Sequence, residues 1–359
     1  MKEYIGCDAH KKYSVFSSIN ELGHFGAAVR VGHGPGEMRK YLETLPSESS
    51  IAVESLGSWY WLIHEMEQAG HKPMLVHAPK AKLLMGQVNK TDKLDSRGLA
   101  VLNRNGTAPA VWIAPGEVRD QRELVRMRMS FVKIRTLLKN RIHATLAKYN
   151  IQIEEVSDIF GVRGRELLQK HLVDLPPYTE GSVREHLKLL DQLRNQIEGL
   201  EKQISQIVKE TPDIELLKSI PGVGNILAIV IAWEIGSVER FQSAERLASY
   251  SGTVPRVKSS GGKTTYGKVR VDVNRYLKWA FIEAANCVML HQKQHEGTHA
   301  VQLYQRIRGR KGHAKAVVAL ARHLAEACFW ILKKKEIYRE PMRHLKPISS
   351  TPGVSAILA

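Results

Sequence analysis

Two acids, Asp92 and Asp95, lie three residues apart, with Lys90, Lys93 and Arg97 around them. In a helix this spacing places both carboxylates on one face. Like charges so close together repel each other, so a folded protein must either surround them with cations or use them to bind a metal ion. For this segment taken alone, a solvated charged helix face is the usual explanation, and a divalent-metal site is the alternative.

Two further acids stand at the ends of short apolar segments. Asp8 follows Tyr4-Ile5-Gly6-Cys7, and Glu54 ends Ser50-Ile51-Ala52-Val53. Taken singly, the first could cap a turn and the second could begin a helix, where the macrodipole favours an acid. Together with the Asp92 and Asp95 pair they offer four carboxylates. Carboxylate oxygens are the hard ligands that Mg²⁺ prefers.

Hydrophobic periodicity predicts the elements that would position these acids. Strands are expected at 4–8, 12–20, 25–31, 50–54 and 72–77, and helices at 34–45, 58–69 and 80–102. Three antiparallel strands followed by α/β units, with acids ending strands one and four, is the arrangement of RNase H-like nucleases. In that fold strands one and four are central neighbours. Asp8 and Glu54 would lie side by side, facing Asp92 and Asp95, and could hold two Mg²⁺ ions roughly 3.5–4 Å apart.

The composition points to a nucleic-acid partner. The chain has 359 residues, enough for two or three domains, and a formal net charge of +17. Such an excess of positive charge favours a polyanion, and nucleic acid fits better than a membrane surface. No apolar run is long enough to span a bilayer, and the first residues do not resemble a signal peptide. Three widely spaced cysteines predict neither a zinc site nor a disulfide framework and fit a reducing cytoplasm.

The middle of the chain is predicted to be helical. Residues 103–116 have the composition of a linker, and 117–149 form a helix rich in arginine and lysine whose basic side chains are expected to be solvated or to face phosphate. Residues 183–208 carry an apolar heptad seam, formed by Val183, Leu190, Ile197 and Ile204 with Leu193 and Leu200 between them. The seam could pack on 117–149 within one chain or pair with a second chain.

A glycine-containing turn opens the C-terminal part. Ile220-Pro221-Gly222-Val223-Gly224 precedes an apolar run and resembles a helix-hairpin-helix motif. Without side chains, Gly222 and Gly224 would let backbone N–H groups approach a DNA phosphate. Pro-Gly turns also simply join helices, so the signal is not unique.

Residues 251–263 are predicted to form a loop that has the parts of a phosphate site. Ser259 and Ser260 precede Gly261 and Gly262, and basic residues flank them: Arg256, Lys258, Lys263, and downstream Lys268 and Arg270. On composition alone an ordinary flexible loop is the simpler interpretation. A serine here could attack a phosphodiester if its hydroxyl were activated. The loop has no histidine, so a metal ion held by the acids would have to do this.

These motifs together resemble a known family. Ile5-Gly6-Cys7-Asp8-Ala9-His10-Lys11, Val53-Glu54, the segment 90–96 and the span 251–286 are similar to the DEDD-type insertion-sequence transposases, the Piv-invertase-like family. The resemblance implies an N-terminal RuvC-like domain, a coiled-coil insertion used in assembly, and a C-terminal serine domain. It also implies Asp8, Glu54, Asp92 and Asp95 as the catalytic tetrad, Ser260 as nucleophile with Ser259 second, and an element-encoded noncoding RNA as guide.

The expected organisation is a metal-binding catalytic domain at 1–115, a helical coiled-coil region at 116–210, a mostly α-helical DNA-binding domain with the serine at 211–346, and a tail at 347–359. The expected activity is DNA cutting and rejoining through a transient phosphoserine, by a homo-oligomer in the bacterial cytoplasm near the nucleoid. Three alternatives remain: a DNA invertase with the same chemistry, a structure-specific endonuclease that does not need Ser260, and a non-catalytic nucleic-acid-binding protein.

Overall fold

The chain folds into two compact units that meet in sequence at the Pro115–Gly116 bond. The computed structural model describes residues 2–86, 89, 91–208, 211–270 and 272–340. Lys90, expected beside the acid pair, and the expected tail at 347–359 lie outside the described residues.

The first unit is built on a five-stranded sheet in the order β3-β2-β1-β4-β5. The strands are β1 (Glu3–Ala9), β2 (Tyr13–Asn20), β3 (Val29–Gly32), β4 (Ser50–Glu54) and β5 (Lys72–Val76). β1 is antiparallel to β2 and parallel to β4, with Cys7 opposite Val53. The expectation that the first and fourth strands are central neighbours is therefore confirmed, and the unit has the mixed α/β form expected of an RNase H-like domain.

Helices cover both faces of this sheet. They are α1 (Glu37–Leu42), α2 (Trp59–Gln68), α3 (Ala78–Met85) and α4 (Asp92–Arg104). Apolar residues of α1 and α2 pack with Ile5, Cys7 and Val53 in one core, whereas Leu99 and Leu102 of α4 pack with Ala52 in another. The central strands are buried on both faces, as parallel strands under crossover helices usually are.

Three predicted boundaries in this unit are wrong. The single helix expected at 80–102 is two helices, because α3 ends at Met85 and is followed by Gly86, whose φ of 60° is left-handed. The linker expected from residue 103 begins later, since α4 continues to Arg104. The strand expected at 25–31 is also shorter: Phe25 makes only an isolated bridge to Ile19, and pairing resumes at Val29.

Close packing fixes α4 against β1. A Cβ on Gly6 would lie 2.0 Å from the carbonyl oxygen of Ser96 and 2.4 Å from the amide nitrogen of Ala100. These are backbone atoms of α4, so no other residue fits at Gly6 unless the helix moves. At the far end of α4, Asn103 Nδ2 donates to the carbonyl oxygens of Ile5 (3.1 Å) and Ser50 (2.9 Å) and joins β1 to β4.

The second unit is mostly helical. Its helices are α5 (Gly116–Lys148), α6 (Val162–His171), α7 (Pro177–Ile207), α8 (Pro212–Lys218), α9 (Asn225–Ile235), α10 (Ala244–Tyr250), α11 (Arg275–Leu290), α12 (His299–Lys311) and α13 (His313–Lys334). The heptad seam of α7 is buried within the single chain: Val183, Leu187 and Leu190 pack with Leu138 and Ile142 of α5. The intramolecular interpretation therefore accounts for this part of the seam.

Three arginines of α5 are not solvated as expected. Arg122 is buried and donates to the carbonyl oxygens of Trp233 and Glu234. Arg126 makes a bidentate pair with the Glu234 carboxylate, and Arg128 pairs with Glu201 on α7. These charges serve the fold, because a buried arginine must be paired to offset its lost hydration.

The segment expected to be a flexible loop is a β-hairpin. β6 (Pro255–Ser260) and β7 (Lys263–Val269) are antiparallel, with Ser260 opposite Lys263. Gly261 and Gly262 form the turn with φ of 54° and 75°. A two-residue turn with two positive φ angles matches the twist of the flanking strands, and two glycines adopt it without strain.

The two glycines of the 220–224 turn differ in their surroundings. A Cβ on Gly222 would lie 2.2 Å from the carbonyl oxygen of Ala284 on α11, so packing requires glycine there. A Cβ on Gly224, which precedes α9, would meet nothing within 4 Å. The role of their N–H groups in phosphate contact stays a prediction.

Among the described residues, none of the helices combines the length and hydropathy that crossing a bilayer requires.

Candidate active site

Asp8 and Glu54 line one cleft at the carboxyl ends of β1 and β4. The cleft has a volume of about 470 Å³ and is also bordered by His10 and by Gly57-Ser58 before α2. Asp8 is only 7% exposed. The parallel register that puts Cys7 beside Val53 brings the next residues of both strands, the two acids, to the same sheet edge.

The first turn of α4 brings Asp92 to Asp8. Thr91 caps this helix by accepting a hydrogen bond from the Leu94 amide, so Asp92 is its first residue. His10 Nε2 lies 3.2 Å from Asp8 Oδ2 and 3.3 Å from Asp92 Oδ2. Residues far apart in sequence therefore meet around one imidazole nitrogen, which occupies the position that a cation between two carboxylates would take.

Asp8, His10 and Asp92 could hold a metal ion together, since their ligand atoms lie within 4.8 Å of one another. Two carboxylate oxygens suit Mg²⁺ or Mn²⁺, and the imidazole nitrogen suits Mn²⁺ better than Mg²⁺. The donor set thus fits the divalent metal that the resemblance to DEDD-type transposases implies. Glu54 borders the cleft without belonging to this trio, and Asp95 lies three residues beyond Asp92, half-buried in the first turn of α4.

His10 was not among the ligands predicted from sequence. It stands one residue beyond the end of β1 and two after Asp8. The sequence did contain a signal for it, a histidine two residues after an acid at a predicted strand end. Side chains alternate between the two faces only within a strand, so a strand that stops at Ala9 does not determine where the side chain of residue 10 points.

Tyr13 at the start of β2 holds Asp92. Its hydroxyl donates to Asp92 Oδ2 at 3.0 Å, and this hydrogen bond is the main reason why the pKa of Tyr13 is raised. Because this pKa is raised, the phenol would lose its proton, and with it this hydrogen bond, only as pH rises above the ordinary tyrosine value of about 10. Arg30 stacks on the same ring, 3.7 Å from its centroid.

We expect Tyr13→Phe to weaken divalent-metal binding about 10-fold, because contacts to metal-binding carboxylates typically contribute 10–100-fold in affinity. Calorimetric titration of the full chain with Mn²⁺ measures this. Tyr178→Phe is the matched control, since Tyr178 is 96% exposed on α7. Equal Mn²⁺ affinity in wild type and Tyr13→Phe would show that the Tyr13–Asp92 bond does not prepare a metal site.

Ser259 and Ser260 lie on opposite faces of the hairpin. Ser260 pairs with Lys263 and Lys258 with Thr265, so these residues share one face. Ser259 pairs with Thr264 on the other face, and their hydroxyl oxygens are 3.2 Å apart. Ser260 is therefore the serine whose face carries the two lysines.

The remaining basic residues of this segment have different settings. Arg256 and Lys268 are exposed on the strands. Arg270 is half-buried and its Nε donates to Asp272 Oδ1 at 3.1 Å, a bond that raises the pKa of Arg270. The positive charge of Arg270 is thus partly balanced by Asp272, and the fully exposed cations lie nearer the hairpin tip.

Two family profiles match the chain, one over the part with the acidic cluster and one over the part with the hairpin. A DEDD transposase profile, described as "Transposase", matches residues 5–151 and includes the Asp8, Glu54 and Asp92 elements. A profile described as "Transposase IS116/IS110/IS902 family" matches residues 214–300 and includes the hairpin.

Similar proteins extend over most of the chain. The transposase for insertion sequence element IS1111A of Coxiella burnetii is 27% identical over 343 residues, which are 93% of this chain and 91% of the relative. A probable family 20 transposase of Pseudomonas aeruginosa is 26% identical, over 84% of this chain and 89% of its own. The transposase for IS1328 of Yersinia enterocolitica is 24% identical, over 82% and 86%. Both profiles and all three relatives carry transposase descriptions, so the chain, similar over most of its length to IS110/IS116-type insertion-sequence transposases, is a transposase, an enzyme that cuts and rejoins DNA.

Proposed function

We propose that this transposase cuts and rejoins the DNA of a bacterial insertion sequence with two sets of groups: a metal-binding acidic cluster in the first unit and Ser260 in the second. The observation that carries the proposal is the meeting of Asp8, His10 and Asp92, with ligand atoms within 4.8 Å, beside the cleft that Glu54 lines. Two carboxylates held this close repel each other, which costs stability unless a cation lies between them, and a bound metal ion would supply that cation.

The acids would hold Mg²⁺, in the full proposal two ions, which supply Lewis-acid stabilisation of a reacting phosphate when bound. Asp8 and Asp92 are the ligands best supported by geometry, and Glu54 and Asp95 complete the proposed tetrad. Tyr13 fixes the direction of the Asp92 carboxylate. His10 would either join the ligands or give way to the ion, since its ring nitrogen already lies between the two carboxylates.

Ser260 is the proposed nucleophile. Its Oγ forms a bond to phosphorus while the bond from phosphorus to the leaving deoxyribose oxygen breaks; that oxygen takes up a proton and the serine proton is lost. The phosphoserine keeps the ester bond count constant, so a DNA hydroxyl can reverse the reaction at a new partner and release the serine. Lys258 and Lys263, on the same hairpin face, would neutralise the phosphate, together with Arg256, Lys268 and Arg270 along the strands.

The proposed partners are DNA, an element-encoded noncoding RNA as guide, and further copies of the same chain. The net charge of +17 supports contact with nucleic acid but does not distinguish DNA from RNA. Because much of the α7 seam packs inside the chain, the proposed oligomer would use outward-facing residues of α5 and α7, such as Leu137 and Leu189, which are 62% and 41% exposed.

A reconstituted reaction tests the proposal. Purified full-length protein, DNA containing the element ends, RNA transcribed from the adjacent noncoding flank and Mg²⁺ are expected to yield joined strands and a denaturation-resistant protein–DNA adduct. Chelation by EDTA should abolish both products and added Mg²⁺ should restore them. Release of cut ends with no adduct would favour the endonuclease alternative, and binding without cutting would favour a non-catalytic protein.

A further inference from the structure

The orientation of the hairpin that carries Ser260 depends on the points where it joins the helical core. β6 and β7 form a sheet of their own, and every residue from Arg256 to Lys268 is exposed. A two-stranded hairpin without a supporting layer is marginally stable in water. The direction in which Ser260 points must therefore be set where the strands leave the helical core, at Tyr250 before β6 and Asn274 after β7.

Asn274 joins these two attachment points. Its backbone N–H donates to the Tyr250 carbonyl oxygen at 2.9 Å. Its side-chain Nδ2 donates to the Tyr250 hydroxyl oxygen at 3.2 Å and to Glu234 Oε2 at 2.8 Å. The ends of the hairpin are thus tied to each other and to α9.

The amide of Asn274 is matched to this position. Oδ1 accepts from the backbone N–H groups of Tyr276 and Leu277, each at 3.0 Å, and so caps α11. With the oxygen committed to two donors, the amide nitrogen must face Glu234, and both of its protons are used. Aspartate would keep the cap but place a second carboxylate against Glu234, and alanine would lose all four contacts.

Glu234 is the fixed point of the network. Its side chain is fully buried, and Arg126 grips both carboxylate oxygens, at 2.8 and 3.0 Å. Arg122 lies 3.8 Å from Oε2 and donates to the Glu234 carbonyl oxygen. A buried carboxylate held by two arginines has little freedom, so the direction of its bond to Asn274 is defined by α5 and α9.

The chain segments between the core and the hairpin are also packed together. Gly252 has a φ of 68°, and a Cβ there would lie 2.5 Å from Val273 Cγ2 on the returning segment. On the outgoing side, Ser251 and Thr253 are buried, and both hydroxyls donate to the Ala248 carbonyl oxygen. These contacts restrict the movement of the first residues of the hairpin relative to the helices.

We propose that Asn274, held by Glu234, is a positioning residue that sets the direction of the Ser260 hairpin. Neither residue touches the reacting phosphate in this proposal; they act by tying the ends of β6 and β7 to the core. The inference rests on the proposed role of Ser260, but its structural part, the anchoring of the hairpin, can be tested separately.

Hydrogen exchange and DNA joining on the full chain test it together. In Asn274→Ala, hairpin amides should exchange about 10-fold faster or more, while α9 and α13 amides stay protected. Joining should fall about 10-fold or more with DNA affinity within about 3-fold of wild type, because the loss affects orientation and not phosphate binding. Thr298→Ala, which removes the α12 cap in the same unit, is the control for general cap loss.

A rescue variant separates anchoring from simple damage. Asn274→Asp should be worse than Asn274→Ala, since it sets two carboxylates together. Adding Glu234→Gln to Asn274→Asp exchanges the amide and the carboxylate between the two positions. The amide at position 234 can then donate to the carboxylate at position 274, which remakes one hydrogen bond without the repulsion, while Arg126 keeps one of its two acceptors there. The double variant should therefore recover part of the joining and hairpin protection lost by Asn274→Asp.

Two results would overturn the proposal: hairpin exchange in Asn274→Ala equal to wild type, or hairpin exchange in Thr298→Ala as fast as in Asn274→Ala. If the proposed role of Ser260 is wrong, Ser260→Ala will join DNA normally. Hydrogen exchange of the hairpin in Asn274→Ala will still show whether Asn274 anchors it.

Discussion

Asp8→Asn should reduce DNA cleavage and joining by about 1,000-fold or more, since a neutral amide removes one of the anionic ligands that a divalent ion needs at a phosphoryl-transfer site. The substitution keeps the side-chain shape, so the buried position beside β4 can be retained. Asp92→Asn should have an effect of similar size and should also weaken the hydrogen bond from Tyr13, because a charged acceptor is replaced by a neutral one. Both are measured as single-turnover cleavage of end-containing DNA at several Mg²⁺ concentrations.

Glu67→Gln is the matched control, because Glu67 is an exposed acid on α2 of the same unit. It should leave cleavage unchanged, which would show that the loss of one negative charge from the unit does not by itself reduce activity. If Asp8→Asn, folded as judged by circular dichroism, cleaved as fast as Glu67→Gln, the acidic cluster would have no catalytic role.

Ser260→Ala should abolish joining and the covalent protein–DNA adduct, a loss of about 1,000-fold or more, since removal of an attacking group leaves only background chemistry. The hairpin itself should persist, because the Ser260 to Lys263 pairing and the Gly261-Gly262 turn are made by the backbone. DNA affinity should therefore stay within about 3-fold of wild type, which separates loss of chemistry from loss of binding.

Ser259→Ala is the control for Ser260→Ala, one residue away on the opposite hairpin face. It loses the hydroxyl contact to Thr264 and should keep most of the joining activity. A reversal, in which Ser259→Ala is inactive and Ser260→Ala joins, would contradict the assignment based on the lysine-bearing face. Normal release of cut ends by Ser260→Ala would favour the endonuclease alternative.

The sequence was sufficient to predict the sheet of the first unit. Period-two and apolar segments located β1, β2, β4 and β5, and the order of elements indicated that Asp8 and Glu54 would lie at the carboxyl ends of adjacent strands, as they do. Such inference works where an element is defined by its own local pattern. It failed at Gly86, because a single glycine inside an apolar repeat is compatible with both a continuous and a broken helix.

The hairpin and the buried charges show what local patterns miss. Ser-Ser-Gly-Gly-Lys has the composition of a loop, and the mostly polar, exposed residues on either side of Gly-Gly have no buried face that would mark them as strands. Arg122 and Arg126 looked like a solvated basic helix face, since their partner Glu234 lies in an apolar run more than a hundred residues later. Pairing at that separation is set by tertiary packing, which a local pattern does not encode.

Anomalous diffraction from crystals of the full chain with Mn²⁺ tests the central claim most directly. The account predicts a Mn²⁺ peak in the cleft at the ends of β1 and β4, with oxygen atoms of Asp8 and Asp92 about 2.0–2.2 Å from the ion. Mn²⁺ bound only elsewhere, at a concentration that supports DNA cleavage in solution, would contradict it.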